Sequence, residues 1–133
     1  MNKNPVIIQL DDEENYHVIV DLICYNMDLS IAARAHNIAE AKEIIAQVAA
    51  KKLVPDVAIV TSMLEIDIDD GKLFVERLKE IVPNVKIIAY TNDDEAKWGD
   101  KLAMKTSRDT TTTIINALEE YTGHKFKFSN VQE

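Results

Sequence analysis

The chain has 133 residues, 47% of them apolar and 29% charged, and carries a net charge of −8. That length and balance fit one globular domain, and the acidic surplus argues against nucleic acid or an anionic membrane held through a broad basic face. A single cysteine, Cys24, rules out an internal disulfide and suits a reducing compartment, and no apolar run reaches the length of a membrane span.

Met1–Pro5 leads straight into the first apolar run and leaves no room for a signal peptide, so a cytoplasmic location is expected. Residues 6–10, Val-Ile-Ile-Gln-Leu, read as a buried parallel strand that ends abruptly in Asp11, Asp12, Glu13 and Glu14. From Glu14 to about Met27 the pattern turns helical, with Tyr16, Ile19, Val20, Ile23 and Met27 inward and Cys24 beside them in the core. Asp12 or Glu13 stands where a cap would. Leu29–Ala35 is a weaker strand that His36-Asn37 ends.

Ile38–Lys52 is a helix with Ile38, Ala41, Ile44, Ile45, Val48 and Ala49 on one stripe, lysines in its last turn and Pro55 beyond it. Val57–Val60 is a central strand ending in Thr61-Ser62. The acidic loop Met63–Gly71 lacks the full calcium-loop pattern and reads as solvated. A helix follows over about 72–81, then a strand over 85–90 ending in Thr91, a short segment with Trp98, a strand over 101–104 ending at Lys105, and a last helix from Asp109 to about Tyr121, stopped by Gly123. Residues 124–133 form a polar tail in which Phe126 and Phe128 alternate, docked as an edge strand or mobile. His17, His36 and His124 have no mutual metal-ligand spacing. The repeated strand-helix order predicts an α/β fold, a doubly wound parallel sheet of five strands, over residues 1–123.

With an acidic pair closing the first strand, Pro55-Asp56 before the third, Asp70-Gly71 opening the next helix, Thr91 closing the fourth strand and Lys105 the fifth, the chain resembles the receiver domain of two-component response regulators over nearly its whole length. The resemblance implies a CheY-like, flavodoxin-like fold. It places Asp11 and Asp12 in the acidic pair that helps bind Mg²⁺, Thr91 at the conserved hydroxyl and Lys105 at the conserved lysine. Where the family has its phospho-acceptor aspartate, this chain has Thr61; Asp56 starts the strand, roughly 16 Å away at the other end. A neutral hydroxyl is a poor nucleophile without a base and a weak metal ligand.

Two further departures follow. Fourteen positions separate Thr91 from Lys105, roughly eight fewer than in the family, or about two turns, so the fourth helix should be shortened or replaced by a loop. Leu102 stands at the aromatic switch position and Thr106 at the proline that often follows the lysine. Together these imply a degenerate receiver: a phosphorylation-independent, non-enzymatic signalling and protein-interaction module. Any Mg²⁺ at Asp11 and Asp12 would be weak, Lys105 would serve as counter-ion, and a protein partner would be met near Trp98 and Leu102. A homodimer is compatible with this reading. Two alternatives stand beside it: a small-ligand or metal site built from Asp11, Asp12, Thr61, Thr91 and Lys105, and an active phospho-receiver. Against enzymatic chemistry, Asp11-Asp12-Glu13 is not the Asp-x-Asp of haloacid-type phosphohydrolases, and the chain has no Gly-rich phosphate loop or nucleophile elbow.

Overall fold

Short apolar runs alternating with amphipathic stretches must bury both faces of the strands. In the computed structural model, which describes residues 4–127, they do so as β1 (Ile7–Leu10), α1 (Glu14–Tyr25), β2 (Ile31–Ala35), α2 (Ile38–Ala49), β3 (Val57–Val60), α3 (Asp70–Ile81), β4 (Lys86–Thr91), β5 (Lys101–Met104) and α4 (Thr110–Thr122). The five strands make one parallel sheet in the order β2-β1-β3-β4-β5. Every residue of β1 and β3 is buried, as central parallel strands require.

Successive strand residues face opposite ways and so divide the core in two. Ile7, Ile59, Ile88 and Tyr90 meet Val20, Ile23, Ile114 and Leu118 of α1 and α4. Ile8, Val60 and Ile87 meet Ile44, Phe74 and Leu78 of α2 and α3 on the other face. The chain leaves β1 towards one side and β3 towards the other, so the strand order reverses there. The crevice beyond those C-terminal strand ends is where such sheets place their ligands.

The doubly wound sheet matches the expectation, and several boundaries differ. Helix α2 ends at Ala49, and Lys51 turns back with φ 63°, so the lysines lie past the helix instead of in its last turn. Helix α3 begins at Asp70, and β2 begins at Ile31. Glu13 and Asp109 occupy N-cap positions, yet neither side chain makes a capping hydrogen bond. Asp11 Oδ1 accepts from Glu13 N at 3.0 Å, and the Thr110 hydroxyl bonds back to the carbonyls of Met104 and Ser107. Asn37 is a true cap, accepting from Glu40 N.

Between β4 and β5 runs a loop in place of a helix. Its end packs closely on β4: a Cβ on Gly99 would stand 2.8 Å from the Ala89 Cβ, and Trp98 packs half-buried on the α2/α3 core. The described part of the tail, residues 124–127, docks without forming a strand. His124 Nδ1 bonds to Met27 O at 2.9 Å, Lys127 N to Asn26 O at 2.9 Å, and Phe126 packs on the α1/α4 core. Phe128 lies outside the described residues.

Candidate functional site

All five strands run the same way, so the residues just past their ends collect at one edge. Asp11 follows β1, Thr61 follows β3, and Lys105 follows β5. The lysine spans the sheet edge to reach the other two. Its Nζ stands 2.8 Å from Asp11 Oδ2 and donates to Thr61 Oγ1 at 3.2 Å. The Lys105 and Asp11 side chains are only 5% and 1% exposed, so this is a buried ion pair. Backbone bonds fix the bases of all three residues: Asp11 N to Ala35 O, Thr61 N to Leu10 O and Lys105 N to Thr91 O.

Two aromatic rings close over the ammonium. The Tyr16 centroid lies 4.0 Å from Nζ and the Tyr90 centroid 5.5 Å. The rings meet edge-on, 5.3 Å apart. A cation over aromatic faces is attracted by the ring quadrupoles, and more so when water is excluded. Burial pushes the Tyr90 phenol up, and the neighbouring Tyr16 and Asp11 push it the same way, so it stays protonated and neutral.

The carboxylate has a divided role. Asp11 Oδ1 holds the turn into α1 through Glu13 N. Asp11 Oδ2 is buried without a hydrogen bond of normal geometry, and the ammonium 2.8 Å away balances it. The Asp11 carbonyl accepts from buried His17, which fixes the proton on Nε2, and the His17 and His36 rings stack edge-on at 4.7 Å.

Of the five pocket residues expected from the sequence, Asp11, Thr61 and Lys105 touch. Asp12 is exposed at the rim. Thr91 is buried at the same edge, but its hydroxyl accepts from Asp93 N at 3.2 Å and so closes a local turn. Sequence reasoning missed Tyr16 and Tyr90, assigning one to a helix stripe and the other to a strand. Helical spacing, which puts Tyr16 one turn into α1, was the one available signal. Asp56 bonds to Val6 N at the opposite end of the sheet, as expected. Of the expected contact residues, Trp98 is largely committed to the core, while Leu102 on β5 is 37% exposed.

The loop before α3 is more than solvated acid. Asp70 Oδ2 accepts from the backbone N–H groups of Leu64, Glu65, Ile66 and Asp67, at 2.9–3.2 Å. Burial alone would raise this acid, and the four N–H bonds together outweigh it and hold the carboxyl below its usual range. Gly71 then passes so close to β3 that a Cβ would sit 2.1 Å from the Thr61 carbonyl. The loop thus fixes the residue that sits at β3's tip.

Mg²⁺ prefers an octahedral set of hard oxygens, normally including carboxylates. Here one Asp11 oxygen faces an ammonium, Thr61 is neutral, and no group of three His, Cys, Asp or Glu side chains able to hold a metal occurs among the described residues. That donor set does not fit a divalent ion.

No protein-family model and no curated protein matches the chain. Solved structures do. The non-phosphorylated receiver domain of the stress response regulator RcsB from Escherichia coli superposes with a TM-score of 0.69 at 18% identity, over 93% of this chain and 98% of that one. A CheY-like receiver domain protein from Methanospirillum hungatei gives 0.68 at 18% identity, over 91% and 98%. The phosphorylated cyanobacterial phytochrome response regulator RcpA gives 0.71 at 11% identity, over 89% and 94%. The chain has the α/β fold of these CheY-like receiver domains.

Proposed function

We propose that the chain is a receiver-like signalling module that works by binding a protein partner and does not accept phosphate. The observation that carries this reading is the contact between Lys105 Nζ and both Asp11 Oδ2 and Thr61 Oγ1. In the resemblance, the residue at Thr61 is an anionic nucleophile and the lysine meets the phosphoryl group formed on it. Here the lysine has no phosphoryl group to meet. It closes the pocket as a built-in cation, under two rings that exclude water. A hydroxyl that accepts a hydrogen bond from an ammonium has no base to activate it, so the site is not catalytic and functions without Mg²⁺.

The output surface is the side of the sheet where the helix between β4 and β5 is replaced by a loop. Leu102 on the edge strand β5 is 37% exposed there. An exposed apolar side chain on an edge strand suits contact with a protein partner.

The test is incubation with acetyl phosphate and Mg²⁺ followed by intact mass measurement and acid–base lability. The unmodified mass is expected. A covalent phosphate on any residue of the pocket, whether an acyl phosphate labile in both acid and base or an acid-stable ester, would overturn the reading.

A further inference from the structure

On the other side of the sheet, a groove of about 350 Å³ opens between helices α2 and α3 over Leu10 at the end of β1. Its floor is fully apolar: Leu10, Leu64 and Phe74 are each buried. Its lips are apolar as well. Ile38 and Ile45 of α2 are half-buried, and Leu73 of α3 is 60% exposed. The volume lies at the lower end of the range, roughly 300–1000 Å³, that holds small organic ligands, whose sites are likewise mostly apolar with few polar groups.

The groove is held open by bonds that do not depend on an occupant. Glu65 Oε1 accepts from Ile38 N at 2.8 Å and pins the start of α2 to the loop before α3. Asp70 Oδ2 gathers four N–H groups of that same loop. A preformed apolar cleft avoids the ordering cost of building one on binding.

Charge identifies the occupant's head group. In a chain of net charge −8, the exposed ionisable groups lining this groove are basic: Lys42 on α2 and Arg77 on α3. Lys42 makes no ion pair among the described residues, and Arg77 makes a solvent-exposed one with Glu80, at 3.1 Å, that is cheaply exchanged. The acid in the lining, Asp70, is turned to the backbone. We propose that this groove binds a small anionic amphiphile, with an acyl chain between the helices and its carboxylate at Lys42 and Arg77. This is a ligand site separate from the Asp11–Lys105 pocket.

Sodium decanoate, held below its micelle concentration, is titrated into the methyl-labelled chain, with decyltrimethylammonium as the equal-length cationic control. Saturable shifts confined to the methyls of Ile38, Ile45, Leu64 and Leu73 are expected. Decanoate should bind roughly tenfold tighter than the cation, as two exposed ion pairs allow. The double variant Lys42→Glu, Arg77→Glu changes exposed residues only and should reverse that preference while the fold is retained. No saturable shift with decanoate, equal affinity for the two amphiphiles, or shifts spread over the methyls of the exposed Val18 and Leu22 of α1 would overturn the proposal. So would groove shifts that depend on protein concentration alone, which would assign the groove to a second copy of the chain.

Discussion

Replacing Lys105 by Met tests the pocket most directly. Methionine keeps the unbranched stem and a sulfur that packs well on aromatic rings, and it removes the charge. Asp11, with its side chain 1% exposed, is then left as a buried carboxylate facing apolar atoms. Thr61 loses its donor, and the Tyr16 and Tyr90 faces lose their cation. Breaking a buried pair by removing one partner costs about 3–5 kcal/mol, because the stranded charge keeps its desolvation penalty without compensation. With total stabilities of ~5–15 kcal/mol for single domains, the variant would be near the limit of folding. In urea, with a slope of about 1–3 kcal/mol per molar, the midpoint should fall by roughly 2 M.

The double variant Lys105→Met, Asp11→Asn separates this effect from simple loss of packing. Asparagine retains an oxygen for Glu13 N and carries no charge. The double variant should therefore cost about 1–3 kcal/mol less than the sum of the two single variants, a coupling typical of residues in direct contact. Equilibrium urea unfolding of the wild type, both single variants and the double variant closes the cycle. A cost below about 1 kcal/mol for Lys105→Met, or coupling within ~0.5 kcal/mol of zero, would show that the pair is solvated and not the closed cation site described above.

Thr61→Asp restores a second acid beside the ammonium; millimolar Mg²⁺ should raise the variant's midpoint by about 3–5 °C in a thermal melt and leave the wild type unmoved. Asp70→Asn should cost about 1–2 kcal/mol near neutral pH through weakened loop hydrogen bonds. Because the folded Asp70 carboxyl titrates below its usual value, its contribution is complete above an unfolded value of about 3.9 and disappears as pH falls through the lowered folded value. Urea unfolding at neutral and at strongly acidic pH should therefore show the two proteins converging in acid. Gly71→Ala forces a methyl to within 2.1 Å of the Thr61 carbonyl, and a loss of about 1–3 kcal/mol or more is expected in the same assay.

The parts of the site that could be read from the sequence are those that chain direction determines. In an all-parallel sheet every strand delivers its last residue to the same edge, so Asp11, Thr61 and Lys105 are neighbours once the strands are recognised. The short interval from Thr91 to Lys105 likewise foretold the missing helix, since roughly two turns cannot be removed elsewhere. Contacts that depend on how one layer sits on another were not legible. Tyr16 and Tyr90 meet over Lys105 because α1 crosses the sheet at a particular angle, which no periodicity encodes. Asp70's four bonds come from an irregular turn without a repeat to detect. At helix starts, residue type alone misled: Glu13 and Asp109 stand in cap positions, while Asp11 and Thr110 form the bonds there.

Charge bookkeeping in the pocket links the threonine at β3's tip to the rest of the molecule. Asp11 and Lys105 cancel, and Thr61 adds nothing, so the buried part of the site is neutral as it stands. An aspartate at Thr61 would leave it one unit negative behind two aromatic rings, and a buried uncompensated charge costs several kcal/mol. Such a pocket needs a cation to be stable and is made to respond to one, whereas the pocket present here is already satisfied. On the proposed reading, therefore, the core beneath the site no longer has two charge states to choose between. On that same reading, a change in affinity for the proposed partner must enter by another route. The preformed cleft between α2 and α3 shares Leu10 with the end of β1, one residue from Asp11. An occupant there would press on the same strand from the opposite face of the sheet.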